Sequence, residues 1–316
     1  MAHLTYTDAM NGALERLSSV GYEHGRSFVN HAPMAAEALA HMGYADEVPD
    51  WVEGHLRSHS FHDVPERRFT IDPADEADWR QALGDFGRVA DWTTLFEREL
   101  AEDRWADVLA RWWPRLLPGM SGVLTHGVIR TAHAVRAVVT AGPDHRMQLA
   151  ELAQGLGYWA ARYSEGGVVV EEHPGEDGAA GDVVPALDEL VAEFSGIYAT
   201  LSLNHPVPLI HSVTGPAAVR LVVEHLPKAQ RWPSYQVARA VSRTMLDWFH
   251  VVPRPAAPLP DAPDVAGLFA EAVGIGDEHA IKLAEVAVRH QAWAPDPRHA
   301  AAAHVANRAI GRLLHR

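Results

Sequence analysis

The sequence predicts an all-α fold in one large multi-helix domain spanning residues 1–316, and three observations carry that reading. Apolar residues recur at helical spacing in about ten separate segments. No run alternates apolar and polar residues long enough to make a useful strand, and no repeat period is visible. No glycine-rich phosphate loop follows a strand-like stretch. With 47% apolar residues and a mean hydropathy of -0.13, the 316-residue chain has ample material for a core.

Taken in order, Thr7–Ser19 reads as a first helix, with Thr7 as N-cap and Gly21 beyond its end. A second runs from Asn30 to Met42, capped by Asn30, stopped by Gly43, with His31 in its first turn. Trp51–His59 is a short helix entered through Pro49, and His55, His59 and His62 are expected to be exposed. The pattern is helical again from Asp75 to Leu117, where Pro114 should kink or break it. Trp105, Trp112 and Trp113 there fit a core or the wall of an apolar pocket. Leu124–Arg136 follows, with Ser121 as its cap, and then His145–Glu165, capped by Asp144. Residues 166–182 are glycine-rich and acidic and read as a surface loop. Val184–Leu203 is amphipathic. Beyond it, Pro206 and Pro208 force an extended entry that places His211 at a helix N-terminus. Tyr235–Val251 is helical, residues 252–263 form a stiff proline-rich connector, and Asp277–Trp293 and Pro297–His315 close the chain. His299, His304 and His315 are expected at the surface.

Composition narrows the chemistry. The balance of 27 basic against 41 acidic residues gives a net charge of -14, which argues against nucleic acid or an anionic membrane as partner. There is no cysteine, so disulfides, thiolate nucleophiles and cysteine-type metal sites are excluded. The N-terminus lacks a signal-peptide pattern and no 18-residue apolar run is expected, so a cytoplasmic location is the default. Histidine occurs 20 times, which points to imidazole chemistry. Lysine occurs only as Lys228 and Lys282.

The stretch LTHGVIRTAHAVR places His126 and His133 seven residues apart, nearly on one helix face. At roughly 1.5 Å per residue their Cα atoms lie about 10 Å apart, a gap that two inward-leaning imidazoles can just close over a metal. The usual paired spacing is four residues, and the same pair fits ordinary core or surface histidines. His31, His126, His133 and His211 each lie at a helix start or on an apolar face beside small residues. Neutral imidazoles suit iron, copper, zinc or nickel. No HExxH or ExxH pair is present. A lysine in an apolar setting supplies a free amine that takes up carbon dioxide as a carbamate, an anionic oxygen donor, and Lys282 is the candidate. Its stem packing on the helix with the head in water is the alternative.

The segments NHAPMAAEAL, HGVIRTAHAVRA and HSVTGPAAVRLV, in this order, resemble the questin oxidase family, over most of the chain from Asn30 to Lys282. The resemblance implies a helical protein that oxidises an aromatic polyketide or anthraquinone-like substrate with O2 and opens a ring. It further implies non-haem Fe(II) held by His31, His126, His133 and His211 with a carboxylated Lys282. The chain is shorter than the fungal members, which leaves the substrate open. Some members are described as NADPH-dependent Baeyer–Villiger-type enzymes, so a metal-free NADPH-dependent monooxygenase is a second reading, although no dinucleotide fingerprint is visible. A non-catalytic helical protein binding an apolar ligand is the third.

Other residues have two readings each. Arg130 and Arg136 flank the ligand helix and either orient a phenolate or pair with the acidic excess. His205, in NHP, is an acid–base or positioning candidate. Glu278 and His279 share a helix with Lys282 and are placed to tune it. The oligomeric state is not legible.

Overall fold

The computed structural model describes residues 3–142, 146–170, 182–201, 205–253 and 257–314. Among them the protein is all-α, as its periodicity predicts. The strands are confined to a minimal antiparallel pair, β1 (Glu23–His24) and β2 (Phe28–Val29). The helices gather into two compact units, the first comprising residues up to 167 with 225–227, the second residues 168–224 and those from 228 onward.

The first unit contains α1 (Tyr6–Leu17), α2 (Ala32–His41), α3 (Val48–Ser58), α4 (Glu76–Ala82), α5 (Val89–Glu102), α6 (Trp105–Leu116), α7 (His126–Ala141) and α8 (Arg146–Ala161). Its centre is α8, packed against α7 on one side and α5 on the other. Glycine makes the first contact close: a Cβ on Gly127 would lie 2.7 Å from the Cα of Trp159. Trp92, Trp112, Trp113 and Trp159 are fully buried. They meet edge to face, with ring centroids 5.6 Å apart for Trp92–Trp112 and 5.1 Å for Trp113–Trp159.

Several boundaries differ from expectation for local reasons. Thr5, not Thr7, caps α1, its Oγ1 accepting from Asp8 N at 3.1 Å. Asn30 Oδ1 accepts from Ala32 N at 3.0 Å, but α2 starts at Ala32 and His31 occupies the cap position. Pro114 does not end α6, because Trp112, Trp113 and Leu116 are buried on either side of it and that burial outweighs one lost hydrogen bond. Ser121 does not cap α7; its Oγ donates to Ser164 O at 2.5 Å. His55, expected at the surface, is buried, stacked on Trp51 and beside His59 and Phe61. Asp144 and His145 lie outside the described residues.

The second unit contains α9 (Val183–Thr200), α10 (Pro206–Val222), α11 (Lys228–Trp248), α12 (Val265–Ile275), α13 (Glu278–Trp293) and α14 (Pro297–Leu314). Helix α10 is central, packed on α9, α11 and α13. Pro206–His225 is by length and composition apolar enough to cross a membrane, but 78% of its apolar window is buried, as in a core helix. Pro206 and Pro208 do not hold the chain extended. They occupy the first turn of α10, where a missing N–H costs nothing, so His211 lies one turn further in than predicted. Helix α11 starts at Lys228, seven residues before the predicted Tyr235, and carries Pro233 inside it. Asp264 caps α12 by accepting from Gly267 N at 3.0 Å, and Gly276 stops it at φ 78°. His299, expected at the surface, is buried beside His290. Residues 171–181 of the predicted acidic loop lie outside the described residues.

Candidate metal centre

In the first unit, α2 and α7 bring their opening histidines together. His31 and His126 are both buried, and their Nε2 atoms are 2.7 Å apart. The approach to His126 is an unusual turn in which Val123, Leu124 and Thr125 all take left-handed backbone conformations, at φ 41°, 54° and 65°. No glycine relieves them, and each costs about 1 kcal/mol or more. The turn aims the Val123 carbonyl at Nδ1 of His126. A carbonyl only accepts, so Nδ1 carries the proton and the lone pair sits on Nε2. That is the tautomer a metal-ligating histidine needs.

His133, two turns along α7, is placed with a different set. Its Nδ1 lies 2.7 Å from Glu37 Oε2, and Arg136 donates its Nε to Glu37 Oε1 at 2.9 Å and a second N–H to Oε2. Tyr6 adds its hydroxyl to Glu37 Oε1 at 3.0 Å. Burial raises the Glu37 carboxyl, but Arg136 and His133 outweigh it and hold the group down to about 2. An ionised carboxylate cannot donate, so His133 donates from Nδ1. Among the described residues His133 is not grouped with the His31–His126 pair.

The second unit supplies another pair. His211 donates Nδ1–H to Pro208 O at 3.0 Å, which again leaves the lone pair on Nε2. Its ring stands edge-on to His279, with centroids 5.5 Å apart. His279 opens α13, where Asp277 Oδ1 accepts from its backbone N at 2.8 Å and from Ala280 N at 3.2 Å. The candidate ligand atoms of Asp277, Glu278 and His279 lie within 4.8 Å of one another. Lys282 follows one turn later on the same face. It is 1% exposed, and Nζ has no hydrogen-bond partner among the described residues. Burial pushes the ammonium down to about 8, against the opposing pull of Glu278 and Asp277.

The other sequence candidates are engaged elsewhere. Arg130 grips Glu151 with both arms at 2.6 and 2.8 Å and lies over the Tyr22 ring, so it is a buried ion-pair partner. Arg136 is committed to Glu37 as above. His205 is exposed at the cap position of α10, beside Phe249. His279 was legible only as a neighbour able to tune Lys282. The signal that marks it as a candidate ligand is its spacing: three residues before the lysine puts both on one face.

Each unit's donors suit a divalent transition metal: a facing pair of buried imidazoles in the first, and buried imidazoles with the buried Lys282 amine in the second. No protein-family model matches this chain, and no curated protein matches it.

Proposed function

We propose that the protein is an iron(II)-dependent oxygenase that opens a ring of an aromatic polyketide-like substrate. The first unit offers His31 and His126 as imidazole ligands and the second offers His211 and His279, and all four are buried. His279 joins the set that the sequence suggested, and this reading assigns His133, whose Nδ1 faces Glu37, to fastening α2 to α7. The observation that carries the reading is the His31–His126 contact, with Nε2 facing Nε2 at 2.7 Å. Two buried imidazole nitrogens facing each other this closely would hold one metal ion between them. The oxygenase class and the aromatic substrate rest on the three histidine-centred blocks that resemble questin oxidases.

When bound, iron(II) supplies the electrons and the open coordination position that dioxygen chemistry requires. The chain's own residues have distinct tasks. The carbonyls of Val123 and Pro208 keep protons on Nδ1 of His126 and His211, so Nε2 stays a ligand atom. Lys282 would take up carbon dioxide at Nζ, forming an N–C bond and releasing one proton. The resulting carbamate would supply the anionic oxygen that neutral imidazoles lack. Glu37 is not a ligand in this reading. It fastens α2 to α7 through Arg136 and His133 and so holds His31 against His126.

The test is metal analysis of chain purified without chelator or affinity tag, followed by anaerobic Fe(II) titration. The expected result is one iron per chain, with oxygen uptake on adding polyphenolic aromatics. Failure to retain any transition metal after Fe(II) addition would overturn the assignment.

A further inference from the structure

In the second unit the C-terminal half of α9, the end of α11 and the residues Val251, Pro253, Ala257 and Leu259 line a cavity of about 700 Å³, within the range of small-molecule sites. None of the histidines discussed above lines it. Its apolar walls are Phe194 and Ile197 of α9, Leu246 of α11, and Leu259. Arg298 contributes its stem, packed on Gly196. Its guanidinium is taken up by Glu189 at 3.0 and 3.1 Å and by Asp296 at 2.8 and 2.7 Å.

The remaining rim charges decide the class of guest. Arg243 and Asp247 lie one turn apart on α11, and Glu193 approaches Arg243 only to 4.0 Å, with both side chains partly in water. A guanidinium flanked by two carboxylates offers hydrogen-bond donors and acceptors without an excess of positive charge. An anionic guest would meet Glu193 and Asp247; a cationic one would meet Arg243, and the one excess negative charge of the rim is screened because all three side chains reach water. We propose that this cavity is a binding site, separate from the histidine centre, for an uncharged and mostly apolar organic molecule. Its body would lie between Phe194, Ile197, Leu246 and Leu259, and a hydroxyl or carbonyl edge would face Arg243 and Asp247.

The experiment uses the full chain and Nile red, a neutral dye whose emission reports an apolar site. Wild type is expected to bind it saturably at one dye per chain. Ile197→Glu and Leu259→Glu each put a carboxylate into the wall, and each should weaken binding at least tenfold. The second lies outside regular helix and so tests the wall even if Ile197→Glu disturbs α9. Val252→Glu, at a neighbouring residue that is 79% exposed and not part of the lining, should bind as wild type does. Absence of saturable binding, wild-type affinity in both wall variants, or an equal loss in Val252→Glu would overturn the site. Tighter binding of the anionic dye anilinonaphthalene sulfonate, sensitive to the same wall variants, would overturn the uncharged class.

Discussion

Two histidines, His126 and His211, have their tautomer chosen by a carbonyl three residues back in the chain. That local device leaves Nε2 of these two rings as the acceptor atom, and the candidate set supports a residue-level prediction. Alanine at His31, His126, His211 or His279 should each lower iron affinity at least tenfold by metal analysis under anaerobic titration. His133→Ala should retain one iron per chain and lose stability, about 1–3 kcal/mol in urea unfolding, because Glu37 forfeits a buried partner. Equal metal loss in His133→Ala would put His133 back among the ligands. Lys282→Arg should also weaken iron binding, since a guanidinium cannot become a carbamate, and undiminished iron content and activity would dismiss that role. Three of these histidines were legible because each sits in a block with small neighbours. His133 was not separable from them, because its fate depends on Glu37, 96 residues away in the chain. No periodicity encodes such a partner.

At the scale of elements, the helices were legible and their ends were not. Apolar spacing locates α7, α13 and α14, whereas the start of α10 depends on whether two prolines act as breakers or as first-turn residues. Burial of the following turns decides that. Helix α12 escaped notice because it is short and contains two glycines, Gly267 and Gly274. The α7–α8 contact gives a sharp test. Gly127→Ala adds one methyl where Trp159 Cα, Cβ and Cγ would each lie 2.7 Å away, and two of those atoms cannot move without the backbone or ring root. The helices must separate, at a cost of about 1–3 kcal/mol, read as a lower melting temperature. Because His126 precedes Gly127, the same variant should weaken iron binding. An unchanged melt would mean that the helices can slide apart freely.

For the molecule as a whole, net charge conceals how acid stability is built. Glu37 has an ordinary carboxyl value of 4.5 and is held at about 2 in the fold, so it stabilises above pH 4.5 and that contribution drains away as pH falls toward 2. His290 works at higher pH. Burial, with Arg289 and His299 against the pull of Asp188, lowers it from 6.5 to about 4. Between those values the unfolded chain takes up a proton that the fold refuses, so stability falls as pH drops from 6.5 to 4. Each group is worth on the order of a few kcal/mol. Urea midpoints of metal-free protein should therefore fall between pH 7 and 4, and His290→Asn should flatten that slope. A slope unchanged in the variant would assign the acid sensitivity elsewhere. None of this was readable from the acid excess, which reports the surface and not the buried pairs.

The turn before His126 bears on how this protein responds to selection or engineering. Three consecutive side-chain-bearing residues are held in a conformation natural to glycine. Replacing Leu124 or Thr125 with glycine should make the chain hardier to heat while leaving the Val123 carbonyl less firmly aimed. Screens for thermal endurance alone would be drawn to such changes and would drift toward robust proteins with slack histidines. A screen that also counts bound iron would reject them.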